Sequence, residues 1–200
     1  MEDTHGLQIH TLTDALKEIE RFLDWTLSES GVNIHVVPTI ETSKRKNCNG
    51  WINRGYIGKA ADNPLVGVLQ PKWTNHAGVP LVELALVAEM LNRPTLDILG
   101  TARHECSHLV AIHLGINDVS LGGRHNKRGI PIFESLGLEV IGLDDKGKPI
   151  DKSLGYGLTK MSDALTADVL EHFKPNEKAF DVFRTPIIRA NRLRRSCVKR

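Results

Sequence analysis

The sequence predicts an α+β fold in a single domain, with an N-terminal helix, a small sheet of antiparallel type and a central helix. Three observations carry that expectation. The 200 residues are 40% hydrophobic and 25% charged, ordinary values for one soluble globular unit. Apolar residues recur at helical spacing near both ends of the first 114 positions, with shorter β-rich runs between them. No internal repeat, low-complexity stretch or long linker divides the chain. Residues 1–183 therefore form one unit, followed by a basic tail at 184–200.

The opening helix is signalled by Thr11 and Asp14 as a Ser/Thr-x-x-acid start, with Leu16, Ile19, Leu23 and Leu27 at helical spacing and Gly31 as its stop. The β-branched residues of Val32 to Val37 favour a strand. Gly50 to Ile57 and Leu65 to Leu69 are two further candidates, separated by glycine, asparagine and proline turns. Leu81 to Leu91 has helical composition, yet Val82, Leu84 and Leu86 alternate as a strand would. Pro94 fits the first turn of the central helix, and Asp97 sits where the helix dipole favours an anion. That helix should run from about Thr95 to Leu114 and close at Gly115. A polar, glycine-bearing loop follows from Asn117 to Arg124. Leu136 to Leu143 resembles a strand with Asp144-Asp145-Lys146-Gly147 as its turn. Ser162 caps a last helix through Phe173 that uses Leu165, Val169 and Phe173.

Several classes are excluded. The richest apolar run, Leu81 to Leu91, is interrupted by Glu83 and Glu89 and falls short of a membrane span. Met1-Glu2-Asp3 is acidic and leads into no apolar core, so no secretory signal is expected. Cys48, Cys106 and Cys197 make an odd count without a CxxC pair, against a disulfide framework or a zinc ribbon. A cytoplasmic location follows. The net charge of +2 hides an asymmetry: Arg184, Arg189, Arg192, Arg194, Arg195, Lys199 and Arg200 crowd the end, with no acid after Asp181. Clustered cations are what phosphate contact requires, which makes DNA a candidate partner of the tail. A solvated helix end is the competing reading, since no aromatic beyond Phe183 is there to stack on bases.

Within the central helix, His104-Glu105-Cys106-Ser107-His108 is an HExxH sequence. Residues four apart share a helix face, so two imidazoles can reach one zinc ion and leave room for a third ligand and a water. Glu105 is turned to the side, where a carboxylate can take a proton from that water, whose pKa a bound zinc lowers to ~7. This is the arrangement for metal-assisted hydrolysis of an amide. The motif also arises by chance, and the bland alternative is a polar patch on a surface helix. Against that, apolar Leu99, Ala102, Leu109 and Val110 could hold the helix in a core. The extended pattern HExxHxxGxxH is excluded by Ala111 and Leu114. His113 lies roughly 140° around the helix from His108 and points away. Asp118 and Glu134 are candidate oxygen ligands. His125 is better placed, after a flexible Gly122-Gly123 turn that could fold the chain back under the helix.

The HECSH helix, the loop GINDVSLGGRHNK and the later segments GLEV and GYGLT, within Thr95 to Tyr156, resemble the SprT-like metalloprotease family in the form found in phages and mobile elements. Asn47-Cys48-Asn49-Gly50-Trp51 and Leu91-Asn92-Arg93-Pro94 also look like family segments, so the similarity covers most of residues 33–160. The resemblance implies a zincin-like domain in which His104, His108 and His125 bind Zn2+ and Glu105 is the catalytic base. It implies an endopeptidase acting on protein substrates, in the host cytoplasm if the chain is phage-encoded. The eukaryotic relative Spartan cleaves proteins crosslinked to DNA, with DNA stimulating cleavage, and the basic tail suits such a role. Two departures stand out. Gly129-Ile130-Pro131 replaces a helix with an aromatic near position 129, so the helix should start later with Pro131 in its first turn. Of the cysteine-rich zinc module that some relatives carry, only Cys197 occurs near the end, so that module is expected to be absent or truncated.

Other residues have two readings each. Tyr156 could donate to a tetrahedral oxyanion, or pack as a core tyrosine. Cys106, about 200° from His104, is a small buried apolar residue or a thiolate switch. Trp51 and Trp73 are packing residues before they are substrate platforms, and Lys44-Arg45-Lys46 is a solvated turn before it is a DNA contact. An exposed edge at Leu81 to Val87 would let an extended substrate add by backbone pairing. Two rivals to the endopeptidase remain: a non-catalytic zinc-stabilised DNA-binding module, and a zinc hydrolase acting on a non-protein amide.

Overall fold

The first helix, α1 (Leu12–Ser30), forms where the periodicity places it and ends at Gly31, whose φ of +68° suits glycine alone. Its inner face buries Ile19, Phe22 and Leu23, and Leu16 is half-buried at the margin. The computed structural model describes residues 12–42, 49–52, 54–55, 68–69, 73–120 and 123–184. The Lys44-Arg45-Lys46 run, Cys48 and the tail beyond Arg184 lie outside them, as does the Gly122 half of the glycine pair.

Five short segments and one long strand follow α1. They are β1 (Val36–Glu41), β2 (Gly50–Ile52), β3 (Arg54–Gly55), β4 (Val68–Leu69), β5 (Trp73–Thr74) and β6 (Pro80–Val87). The ambiguous segment at residues 81–91 is thus a strand through Val87, then a single 3-10 turn, Ala88–Met90. The alternation of Val82, Leu84 and Leu86 is what decides it, because those three side chains enter the core under the helices.

Four expectations are corrected here. The sheet is mixed, since β1 pairs β6 in parallel with Val36 opposite Val82 and Glu41 opposite Val87, while β2 and β5 pair β6 antiparallel. Side-chain alternation is the same in either direction, so the pattern could not tell them apart. The strand expected at Val32 to Val37 starts four residues later; Val32 is buried, but ladder bonding begins only where Val82 N–H donates to the His35 carbonyl, 2.8 Å away. Most importantly, β6 is no edge. It is the centre of the order β1-β6-β2, with β5 also on it, and no flank is left for an added chain along Leu81 to Val87. The candidate at Gly50 to Ile57 breaks after Ile52, and β3 pairs instead with β4.

The central helix, α2 (Thr95–His113), starts one residue after the expectation for proline: Pro94 is the N-cap residue and not part of the first turn. The helix closes through Gly115, with φ +68°. It is enclosed on nearly every side, with Ile98, Leu99, Ala102, Cys106, Leu109 and Ala111 fully buried against α1 and the sheet. Full burial of side chains such as Leu99 stabilises by about 1.5–3 kcal/mol each. That depth explains how a helix can carry His104, Glu105, Ser107 and His108 inside the fold.

After α2 the chain forms a 3-10 turn (Lys127–Gly129), α3 (Ile130–Ser135), β7 (Leu138–Val140), β8 (Thr159–Met161) and α4 (Asp163–Asp168), which runs on into a π turn, Val169–Phe173. Pro131 falls in the first turn of α3, as its missing N–H favours. Ser162 caps α4 by accepting from Leu165 N–H. The strand expected at Leu136 to Leu143 is only its middle, β7, which pairs antiparallel with β8. No described helix is long and apolar enough to cross a membrane.

One buried cation ties these layers together. Arg103 donates to the Leu136 carbonyl at 2.6 Å, to Thr26 Oγ1 at 3.2 Å and to Glu29 at 3.1 Å, joining α1, α2 and the turn before β7. The Glu29 carboxylate is 37% exposed, so the ion pair itself adds little. The carbonyl and hydroxyl are the costly groups to leave unpaired. Arg103→Met, which keeps the volume, should lower unfolding stability by about 2–3 kcal/mol. Urea denaturation measures it, and a loss under about 0.5 kcal/mol would show that these bonds are replaced by water.

Candidate metal centre

His104 and His108 lie one turn apart on α2, and the loop after it returns the third histidine to them. Ser120 and Arg124 close that loop through a 2.8 Å backbone bond, and Gly123 makes the turn at φ +77°. Val119 then bridges to His125, and His125 to Gly155. The result places His125 Nε2 at 3.1 Å from both His104 Nε2 and His108 Nε2.

Each ring is held from behind. His108 Nδ1 is hydrogen-bonded to the carboxylate of Asp118, which is almost fully buried. His125 Nδ1 faces the Leu154 carbonyl at 3.3 Å, and His104 Nδ1 faces Thr159 Oγ1 at 2.9 Å. A carboxylate and a carbonyl can only accept, so His108 and His125 carry their protons on Nδ1. Their Nε2 atoms therefore present lone pairs to a shared point. Thr159 can accept from His104 in the same sense, which turns a third lone pair inward. Imidazoles fixed by outward oxygen partners are the arrangement of a metal site. The donor set fits: His104, His108 and His125 can hold one metal ion.

Aromatic and glycine residues shape the walls. Phe133 of α3 is fully buried and stacks on the His104 ring, with centroids 5.0 Å apart and 18° between planes. It also meets the edge of His108 at 6.2 Å. The aromatic that the sequence lacked near position 129 thus arrives one turn later. Gly129 leaves room for it, since a Cβ there would stand 3.2 Å from the Phe133 ring and 3.3 Å from Asp118. Gly157 lies flat against the third ligand: an added Cβ would come within 2.6 Å of His125 Cγ and Cε1, and closer still to Nδ1.

Glu105 is 8% exposed, beside His104 on α2. Gly50 of β2 lies above it, where an added Cβ would approach Glu105 Cγ at 3.1 Å and the Ala85 carbonyl at 2.9 Å. β2 can therefore rest directly on the helix at the motif. Cys106 points the other way, fully buried, and burial pushes its thiol up to about 12. Burial disfavours a thiolate at that position, and the residue packs as a core apolar group.

The other nominated residues divide. Asp118 reaches the centre as the brace of His108 and is not one of the three converging ligands. Glu134 is exposed on α3, and His113 is exposed at the far end of α2. Tyr156 is buried next to the centre; its N–H donates to the His125 carbonyl at 3.2 Å, and the Lys127 ammonium lies 5.9 Å above its ring. Trp51 is half-buried on β2, while Trp73 is 49% exposed on β5 and does not pack as expected. Sequence reasoning missed the roles of Thr159, Leu154, Phe133 and Gly157. Gly155-Tyr156-Gly157 was the available signal, because two glycines around one aromatic mark a close backbone approach.

The site so built is a three-histidine centre in an α+β domain. No protein-family model, curated protein or solved structure matches the chain.

Two substitutions test the bracing. Asp118→Asn removes the anionic partner of His108 and should weaken metal affinity by about 10–100-fold. Titration against a chromophoric chelator measures this, and unchanged affinity would remove Asp118 from the site. Gly157→Ala drives a methyl into the His125 ring and should cost at least about tenfold in the same titration. Its far-UV circular dichroism should stay that of the wild type; full affinity would show that the ring can move aside.

Proposed function

We propose that the chain is a zinc-dependent endopeptidase of the SprT-like kind. The observation that carries this reading is the inward convergence of three Nε2 lone pairs beside a buried glutamate on the same helix. Nitrogens at ~2.0–2.1 Å from one tetrahedral zinc stand about 3.3 Å apart, close to the 3.1 Å between the histidines. An all-imidazole set of three suits zinc and leaves a position open for chemistry. Bound there, zinc supplies the Lewis acidity that lowers the pKa of a water to about 7 and polarises a scissile carbonyl.

The protein supplies the rest. Glu105 accepts a proton from the attacking water on its carboxylate and delivers it to the leaving amine nitrogen. Its stem is confined between α2 and Gly50, which limits the rotamers open to the carboxylate. Asp118, Leu154 and Thr159 keep the ligand rings from turning, and Phe133 excludes water from behind His104. A peptide is the substrate class that the motif and the resemblance favour. DNA-associated proteins are a natural subset, given the seven cations of the tail.

Glu105→Gln is the decisive variant. It should retain about one zinc per chain by elemental analysis while cleavage of an unfolded protein falls by about 10²–10⁴-fold. Equal cleavage by this variant would sink the mechanism. A non-catalytic zinc-stabilised DNA-binding module would show the same metal content and no cleavage in either protein.

A further inference from the structure

The segment that delivers the third ligand is also one-sidedly charged. Between Val119 and Phe133 the sequence holds Arg124, Lys127 and Arg128 and no acid. All three are exposed, and none forms an ion pair among the described residues. They stand one, two and three residues from His125, so their Cα atoms lie within about 11 Å of its own. The backbone between them is fixed. Asn126 Oδ1 accepts from Arg128 N–H at 2.8 Å, the Asn126 N–H donates to the Asp118 carbonyl at 2.9 Å, and the Lys127 ammonium rests over Tyr156. Arg124 is steadied at its stem, since Gly155 leaves just enough room for its Cγ, 2.9 Å from where a Cβ would stand.

A rim of fixed, unneutralised cations costs self-repulsion and is stabilised by an anion bound among them. We propose that Arg124, Lys127 and Arg128 form a substrate-selecting rim that recognises acidic side chains of the peptide next to the bond presented to the metal centre. The proposal rests on the endopeptidase reading above. A carboxylate fits the rim better than a nucleic-acid backbone does. Phosphate tracks need a continuous run of cations, whereas in the adjoining excursion between β7 and β8 exposed Asp144, Asp145 and Asp151 alternate with Lys146, Lys148 and Lys152, with no net charge. No exposed aromatic side chain is described between Val119 and Phe133 or on the Leu154–Gly157 turn to stack on bases.

The test uses two labelled peptides that differ only in carrying Glu or Gln beside the cleavage position. Binding is read by fluorescence anisotropy on zinc-loaded Glu105→Gln protein, and kcat/KM on the wild type. Exposed charge pairs are each worth a few-fold, so three together should favour the Glu peptide by about tenfold at ~20 mM salt. The preference should shrink toward unity as salt screens it at ~300 mM. Adding Arg124→Gln, Lys127→Gln and Arg128→Gln together should bring the ratio to about one, with circular dichroism and zinc content confirming that the fold persists. Equal affinity for the two peptides, or a preference that survives the triple change, overturns the rim. So does a single-stranded oligonucleotide that displaces the Glu peptide and loses its own affinity in the triple variant, which would assign the cations to phosphate. If the wild type cleaves neither peptide while the binding preference and its loss are both seen, the rim stands and the assigned reaction falls.

Discussion

His125 Nε2 stands 3.1 Å from the Nε2 atoms of His104 and His108, and the Nδ1 protons of His108 and His125 are directed outward to Asp118 and Leu154, while Thr159 can accept that of His104. Three lone pairs facing one another repel unless a cation lies among them. The surrounding structure resists that repulsion, and a metal ion held among the three histidines would relieve it. The elements of the core share in that resistance. α2 fixes the spacing of two rings, the loop after it returns the third, and α3 places Phe133 so that His104 cannot rotate backward.

A helix bearing six consecutive polar or thiol groups, Arg103 to His108, would ordinarily lie at a surface. Here it lies at the centre, and the reason is distributed bonding. Ser107 donates to the His104 carbonyl at 2.6 Å, Arg103 is satisfied by three partners from other elements, and His108 by a carboxylate. Buried polar groups that are all partnered cost little and fix one geometry. The apolar residues between them, Ala102, Cys106 and Leu109, pack the opposite sides against α1 and the sheet.

Local patterns were legible in the sequence, and long-range ones were not. α1, α2, the cap at Ser162 and the start of α3 at Pro131 each follow from neighbouring residues and appear where the pattern puts them. The direction of β1 and the central position of β6 depend on pairings across more than forty residues, which alternation does not encode. The same division runs through the site. His104 and His108 are a helical spacing, and His125 needs only a glycine turn. Asp118 reads in the sequence as a candidate oxygen ligand behind the better-placed His125, and its place at the back of His108 is not legible there, because whether an acid faces a metal or the back of a ligand is a matter of ångströms. Thr159 carries no signal at all, being one threonine among several until β8 brings it to His104.

The order of these residues along the chain has a consequence for how the centre comes into being. All three ligands and the brace at Asp118 are encoded by residue 125, whereas Leu154, Gly157 and Thr159 arrive about thirty residues later. During synthesis the imidazoles emerge ahead of two of the three groups that aim them. A chain halted between those points owns all three histidines yet lacks two of the groups that aim them, so a cluster able to hold a metal ion waits for the domain to finish. The same ordering leaves the histidine cluster dependent on a segment remote from it. The stretch from Asp144 to Ser153 tethers β7 to the braces, and a single nick there would loosen the hold on the imidazole rings while leaving all three histidines intact.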